Sequence, residues 1–245
     1  MSFSLLRLIL KNMEDIMNDS VLKQAPLKTV ILIYPGVTLL DMIGPATALS
    51  MFGSVQLVWK NREPIASDNG FLVTPNATLA EVPEHFDLLL IPGGPGKLAP
   101  LDDQEVLDFV RDCGRRADYL TSVCTGALIL GAAGLLKGYR ATTHWAAHDL
   151  LPDFGAIPVN ERIVIDRNRL TGGGVTAGID FGLTLLARLR GDEAAKIAQL
   201  IMEYDPAPPF NSGSPETAGL ELTAKVRQMV DGDNEEIRRL AKTEK

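Results

Sequence analysis

The sequence has 245 residues, 46 % of them hydrophobic and 22 % charged, which excludes a mini-protein, a disordered chain and a collagen-like repeat. Its 24 lysines and arginines stand against 31 aspartates and glutamates, a formal net charge of −7, and that field disfavours a nucleic-acid partner. The two cysteines, Cys113 and Cys124, are too few for a secreted disulfide framework and suit a reducing cytoplasm, while no run approaches the ~18 apolar residues of a membrane span.

Residues 1–28 read as a helical N-terminal extension. Arg7 interrupts the first apolar run, acidic residues follow in place of a cleavage site, and Met13 and Met17 leave an over-long start open. From residue 29 short apolar runs alternate with helix-period segments, the rhythm of a mostly parallel sheet covered by helices on both faces. Residues 29–34 (TVILIY) predict a buried strand closed by Pro35-Gly36, residues 40–52 a helix and 55–60 a second strand. Residues 71–73 and the neighbourhood of Thr78 predict short edge strands, because Pro75 and Pro83 break them. A central strand at 87–92 runs into Gly93-Gly94-Pro95-Gly96, glycines dense enough for backbone to approach a ligand closely.

Asp102 or Asp103 caps the next helix, which reaches about Arg116 with Val106, Leu107, Phe109 and Val110 inward. A strand at 119–123 stops at Cys124, and 125–136 predicts a helix of small and apolar residues. An extended piece (140–144), a helix (145–151) and a hairpin turning at Asp166-Arg167-Asn168 follow. Two further helices occupy 176–189 and, capped by Asp192, the stretch to Tyr204. The main domain is therefore 29–204, and 205–245 is a proline-rich linker with an amphipathic helical tail.

The segment Ser122-Val123-Cys124-Thr125-Gly126-Ala127 puts a cysteine where a buried strand turns sharply into a helix. Such a turn lifts a side chain above the sheet, as in a nucleophile elbow, and helix N–H groups there stabilise a thiolate. A small buried cysteine is the alternative for any lone cysteine, and the flanking glycine and the elbow position favour the nucleophile. Cys113, on the charged helix, reads as structural.

The chain resembles the DJ-1/PfpI superfamily, on the branch of the isonitrile hydratases (cyclohexyl-isocyanide hydratases). The matching pieces are Tyr34-Pro35-Gly36-Val37, Leu40-Asp41, Gly44-Pro45, Ile91-Pro92-Gly93-Gly94, the Cys124 elbow, Gly134-Leu135-Leu136, Ala141-Thr142-Thr143-His144-Trp145 and residues 171–180 (TGGGVTAGID). The resemblance spans residues 29–204 and implies a flavodoxin-like sheet sandwiched by helices, and a homodimer. Thr125 occupies the position where the intracellular-protease branch has a histidine.

In this family an acidic side chain from the first helix meets the elbow cysteine, and Asp41 matches the aspartate of isonitrile hydratases. An ordinary helix N-cap is its other reading. Side by side, such a carboxyl and thiol titrate as a pair sharing a proton. Gly93 and Gly94 either offer backbone N–H groups, with that of Thr125, to an anion pocket or form a tight turn. The Thr125 hydroxyl either orients water or substrate or bonds back to its helix. His144 is the one histidine in a family motif. A hydrogen-bonded structural role suits it better than metal ligation, because no HxxxH pair or cysteine cluster accompanies it. The glycine run at 172–174 has neither Walker nor dinucleotide spacing, so no metal and no organic cofactor is expected.

By this resemblance the activity is hydration of an isonitrile to an N-substituted formamide, Cys124 attacking and Asp41 serving as acid and base. A small neutral organic substrate fits, since no arginine clamp is evident. Two other functions share the motifs. One is a ligand sensor or stress protein akin to the sensing half of AraC-type regulators, although the 41 residues after Tyr204 are too few and too acidic for the DNA-reading half. The other is a glyoxalase or deglycase.

Overall fold

A computed structural model describes residues 24–243; the reading of residues 1–28 as a helix falls largely outside them. The chain begins with β1 (Leu27–Leu32), α1 (Leu39–Leu49) and β2 (Gly53–Trp59), then the short strands β3 (Ile65–Ala66), β4 (Leu72–Val73) and β5 (Ala77–Thr78). Next come β6 (Phe86–Ile91), α2 (Leu98–Leu101), α3 (Gln104–Arg116), β7 (Ala117–Val123) and α4 (Gly126–Ala132). β8 (Arg140–Ala141), a 3-10 helix over Trp145–Phe154, β9 (Ile157–Pro158), β10 (Ile163–Asp166) and β11 (Arg169–Gly172) follow. The remaining helices are α5 (Ala177–Arg190), α6 (Asp192–Ile201), α7 (Pro215–Ala218), α8 (Leu220–Val230) and α9 (Asn234–Thr243).

Seven strands form one sheet in the order β10-β11-β7-β6-β1-β2-β5. Only β10 runs antiparallel, through its hairpin with β11. Because β1 and β6 are buried on both faces, their apolar runs are continuous and alternate between two cores. Val30, Leu32 and Tyr34 face a layer built by α3, α4 and the 3-10 helix, while Leu27, Ile31 and Ile33 face one built by α1, α5 and α6. Asp103 caps α3 by accepting the Val106 N–H at 3.3 Å. The sheet extends from β1 in one direction to β2 and β5 and in the other to β6 and β7, so the chain reverses its direction of growth between β1 and β6. In open α/β sheets, ligands bind at the carboxyl ends of strands flanking such a reversal.

Local departures from the expected elements have identifiable causes. β4 pairs antiparallel with β3, outside the main sheet, and β5 alone of the two expected edge strands joins β2. The helix after Cys124 ends at Ala132, and Gly134 adopts a left-handed φ of 75° just beyond it, as helix-terminating glycines do. Residues 145–154 coil as a 3-10 helix whose Pro152 has no N–H to donate. The C-terminal tail returns to the body. Ile237, Leu240 and Ala241 of α9 are buried there, and Arg238 makes ion pairs to Asp149 at 2.6 Å and Asp153 at 2.7 Å.

Candidate functional site

Cys124 occupies the strand-to-helix elbow between β7 and α4 with φ 56°, a left-handed conformation that costs a non-glycine residue about 1–3 kcal/mol and is found where function requires it. Two ties hold it. Its N–H faces the carbonyls of Gly172 (3.0 Å) and Gly173 (2.9 Å), anchoring the elbow to the end of β11, and its carbonyl accepts the Thr143 hydroxyl at 2.7 Å. The side chain is 6 % exposed. Val175, with φ 33°, turns its backbone N–H toward the sulfur, as does Thr125. Two strained residues thus converge on one thiol.

Asp41 lies in the first turn of α1, which Thr38 begins. Its carboxyl does not cap that helix. It reaches across the β1–β6 reversal instead, Oδ2 accepting the Gly93 N–H at 2.9 Å. Oδ1 is sealed from solvent with no hydrogen-bond partner, and the carboxyl interacts with the Cys124 thiol. Burial lifts this carboxyl from its ordinary 3.8 to about 7. The Gly93 N–H and the thiol oppose the rise, and the Asp68 carboxylate adds to it. Burial also pushes the Cys124 thiol up to about 12, the Asp41 charge adding and the Val175 and Thr125 N–H groups opposing. At neutral pH the pair holds one to two protons in a dry environment, where the sulfur and the carboxylate compete for them.

The two glycines take up positions that only small residues fit. A Cβ on Gly93 would lie 2.5 Å from the Thr125 nitrogen and 2.9 Å from the Cys124 Cβ. Their N–H groups are both engaged within the protein, that of Gly93 by Asp41 and that of Gly94 by the Thr125 Oγ1 at 3.1 Å. They therefore fix the acid and the threonine in place, and the N–H groups directed at the sulfur are those of Val175 and Thr125. The Thr125 hydroxyl is an acceptor toward Gly94 rather than a bond back to its helix, so its own proton is available for donation. His144 accepts the Ala146 N–H on Nδ1 at 3.3 Å, which assigns its proton to Nε2. Burial, helped by the nearby Lys97 charge, keeps its pKa below the usual histidine value. Among the described residues no group of three His, Cys, Asp or Glu side chains is placed to hold a metal ion.

Cys124, Thr125, Gly94 and His144 line one cleft of about 370 Å³, whereas Asp41 and Gly93 are buried and do not line it. Val175, Lys97 and the tail residues Met229, Val230, Gly232, Asp233 and Asn234 are also among the lining residues. Sequence reasoning did not place these. Val175 stood in a recognised motif, but its positive φ leaves no mark on residue type. Lys97 and the tail are brought to the cleft by tertiary packing alone. Lys97 is neutralised there by Asp233, Nζ to Oδ2 2.9 Å.

The fold and the elbow define an α/β protein with a cysteine and a carboxyl paired at the carboxyl edge of a parallel sheet. The chain belongs to the DJ-1/PfpI family, whose model matches residues 27–188. It is 50 % identical over 199 residues to the isonitrile hydratase of Pseudomonas putida, an alignment covering 80 % of this chain and 87 % of that one. The structure of a THiJ/PfpI family protein from Pseudomonas syringae superposes with a TM-score of 0.88 at 44 % identity, covering 92 % of this chain and 96 % of that one. The transcriptional regulator GbdR of Pseudomonas aeruginosa is 31 % identical over 71 % of this chain, which spans 47 % of the regulator.

Proposed function

We propose that the protein hydrates an isonitrile to an N-substituted formamide. The observation that carries this reading is the pairing of Cys124 with a buried carboxyl whose pKa is raised to about 7; the 50 % identity to an isonitrile hydratase supports the choice of substrate. An isonitrile's terminal carbon accepts a nucleophile and then requires a proton. The Cys124 sulfur bonds to that carbon, and the thiol proton passes to Asp41 as the carbon–nitrogen π bond opens. Asp41 returns the proton to the same carbon, giving a thioimidate.

Water then adds to the thioimidate carbon. One of its protons is taken by Asp41 and relayed to the nitrogen, and the carbon–sulfur bond breaks. The formamide leaves, and the remaining water proton restores the pair, so one water is consumed and the enzyme regenerated. The N–H groups of Val175 and Thr125 stabilise charge on the sulfur in both steps, and the Thr125 hydroxyl and the neutral His144 supply uncharged donors at the edge of the cleft. A cleft whose one lining cation among the described residues is already paired suits an uncharged substrate. The test is formamide production by the purified protein from alkyl and aryl isonitriles, with methylglyoxal as the competing substrate. Formamide formation supports the reading, turnover of methylglyoxal alone replaces it with the glyoxalase reading, and turnover of neither points to a sensor.

A further inference from the structure

Tail residues line the cleft, and two of them, Met229 and Val230, are apolar and largely uncovered. Met229 is 70 % exposed and Val230 42 %, yet both border the same 370 Å³ space as the Cys124 sulfur. The segment carrying them is fastened at both ends. On one side the Arg227 guanidinium lies 5.3 Å from the centroid of the Trp145 ring. On the other, Asp233 meets Lys97, and α9 is held by fully buried Ile237 and by the Arg238 ion pairs to Asp149 and Asp153. These ties keep two apolar side chains on the lining of the cleft that also holds Cys124, where a bound molecule would complete their burial.

We propose that Met229 and Val230 form the specificity wall of the site, selecting substrates whose N-substituent is aliphatic and uncharged. This rests on the isonitrile reading for the reaction but not for the wall. With the reacting carbon on the Cys124 sulfur, a substituent long enough to cross the cleft reaches the tail residues that line it. Each methylene placed against Met229 and Val230 leaves water. The Lys97–Asp233 pair holds the wall in position without presenting a net charge to the substituent.

The test uses the full chain and one reactive group with two substituents: N-methylmaleimide and N-cyclohexylmaleimide, with alkylation of Cys124 followed by peptide mass mapping. Met229→Ala/Val230→Ala should lower the cyclohexyl-to-methyl rate ratio about tenfold, the loss of roughly two methylenes' worth of apolar contact, and Met229→Leu/Val230→Ile should restore it. Both positions are exposed, so the variants retain the core, which an unchanged thermal midpoint verifies. The same ratio is then measured as kcat/KM for cyclohexyl and methyl isonitrile. Ratios that fall in the alanine variant and recover in the conservative one support the wall; alkylation ratios equal in all three proteins overturn it. If no isonitrile is turned over while the alkylation ratios shift, the reaction falls and the wall stands. If turnover occurs and neither ratio moves, the reverse holds.

Discussion

Replacing Asp41 by asparagine removes one proton site while keeping the shape of the side chain and the oxygen that accepts the Gly93 N–H. With the thiol pushed up to about 12, little thiolate forms spontaneously at neutral pH. Attack therefore depends on a base that removes the thiol proton as the sulfur–carbon bond forms. In the proposed mechanism Asp41, titrating at about 7, is that base when ionised. The working form carries one proton on the pair, so wild-type kcat/KM should climb as pH rises through about 7 and then level off. In Asp41→Asn the charge that helped to raise the thiol is gone, but burial, the larger cause, remains. Turnover at neutral pH should fall by at least ~10²-fold, the lower end of what a positioned acid–base group contributes. The inflection near 7 should vanish and the rate should keep rising into the alkaline range. The assay is formamide formation across a pH series with a single alkyl isonitrile. An Asp41→Asn enzyme that works within a few-fold of wild type, or that keeps the inflection near 7, would refute the shared-proton mechanism.

The same carboxyl affects stability: its folded pKa lies above its ordinary 3.8, so its contribution is complete below that value and is lost as pH rises to about 7. Urea midpoints of wild type should therefore fall relative to Asp41→Asn across that window, and parallel curves would show that the carboxyl is not desolvated. Cys124→Ala should abolish turnover with the fold intact by circular dichroism. Cys113→Ala, at a fully buried site in the opposite core layer, should keep turnover and lose about 1 kcal/mol of stability; equal losses of turnover would count against Cys124 as the nucleophile. Gly93→Ala drives a methyl group to 2.5 Å from the Thr125 nitrogen and should lower stability by about 1–3 kcal/mol in denaturant titration, with turnover falling alongside; a variant of unchanged stability would show that the backbone yields there.

What the sequence disclosed and what it hid divide along physical lines. Strands such as β1 and β6 were legible because burial on both faces demands unbroken apolar runs, and the elbow was legible because a cysteine followed by threonine and glycine at the end of such a run has few other uses. Asp41 could be placed on the first helix, but residue type did not decide between a cap and a partner of the thiol. The Gly93 contact, 52 positions away, takes the carboxyl away from the cap. Gly93 and Gly94 announced close backbone approach, yet not which acceptors their N–H groups meet. The tail was the least legible. Its helical period was apparent, whereas the return of Met229 and Asp233 to the cleft depends on a contact between Lys97 and Asp233 separated by 136 positions, which no local pattern encodes.

The placement of the two cysteines in different core layers, Cys113 in one and Cys124 in the other, has a consequence for oxidative chemistry. A thiol oxidised to sulfenic acid is commonly rescued by a neighbouring thiol that condenses with it into a disulfide, which reductants then open. Here the sheet stands between the two sulfurs, and the sequence contains no third cysteine. A sulfenic acid at Cys124 therefore has no resolving partner within its own chain. Its return to the thiol then calls for a small external thiol entering through the cleft, and without one it proceeds to the sulfinic acid, which thiols do not reverse.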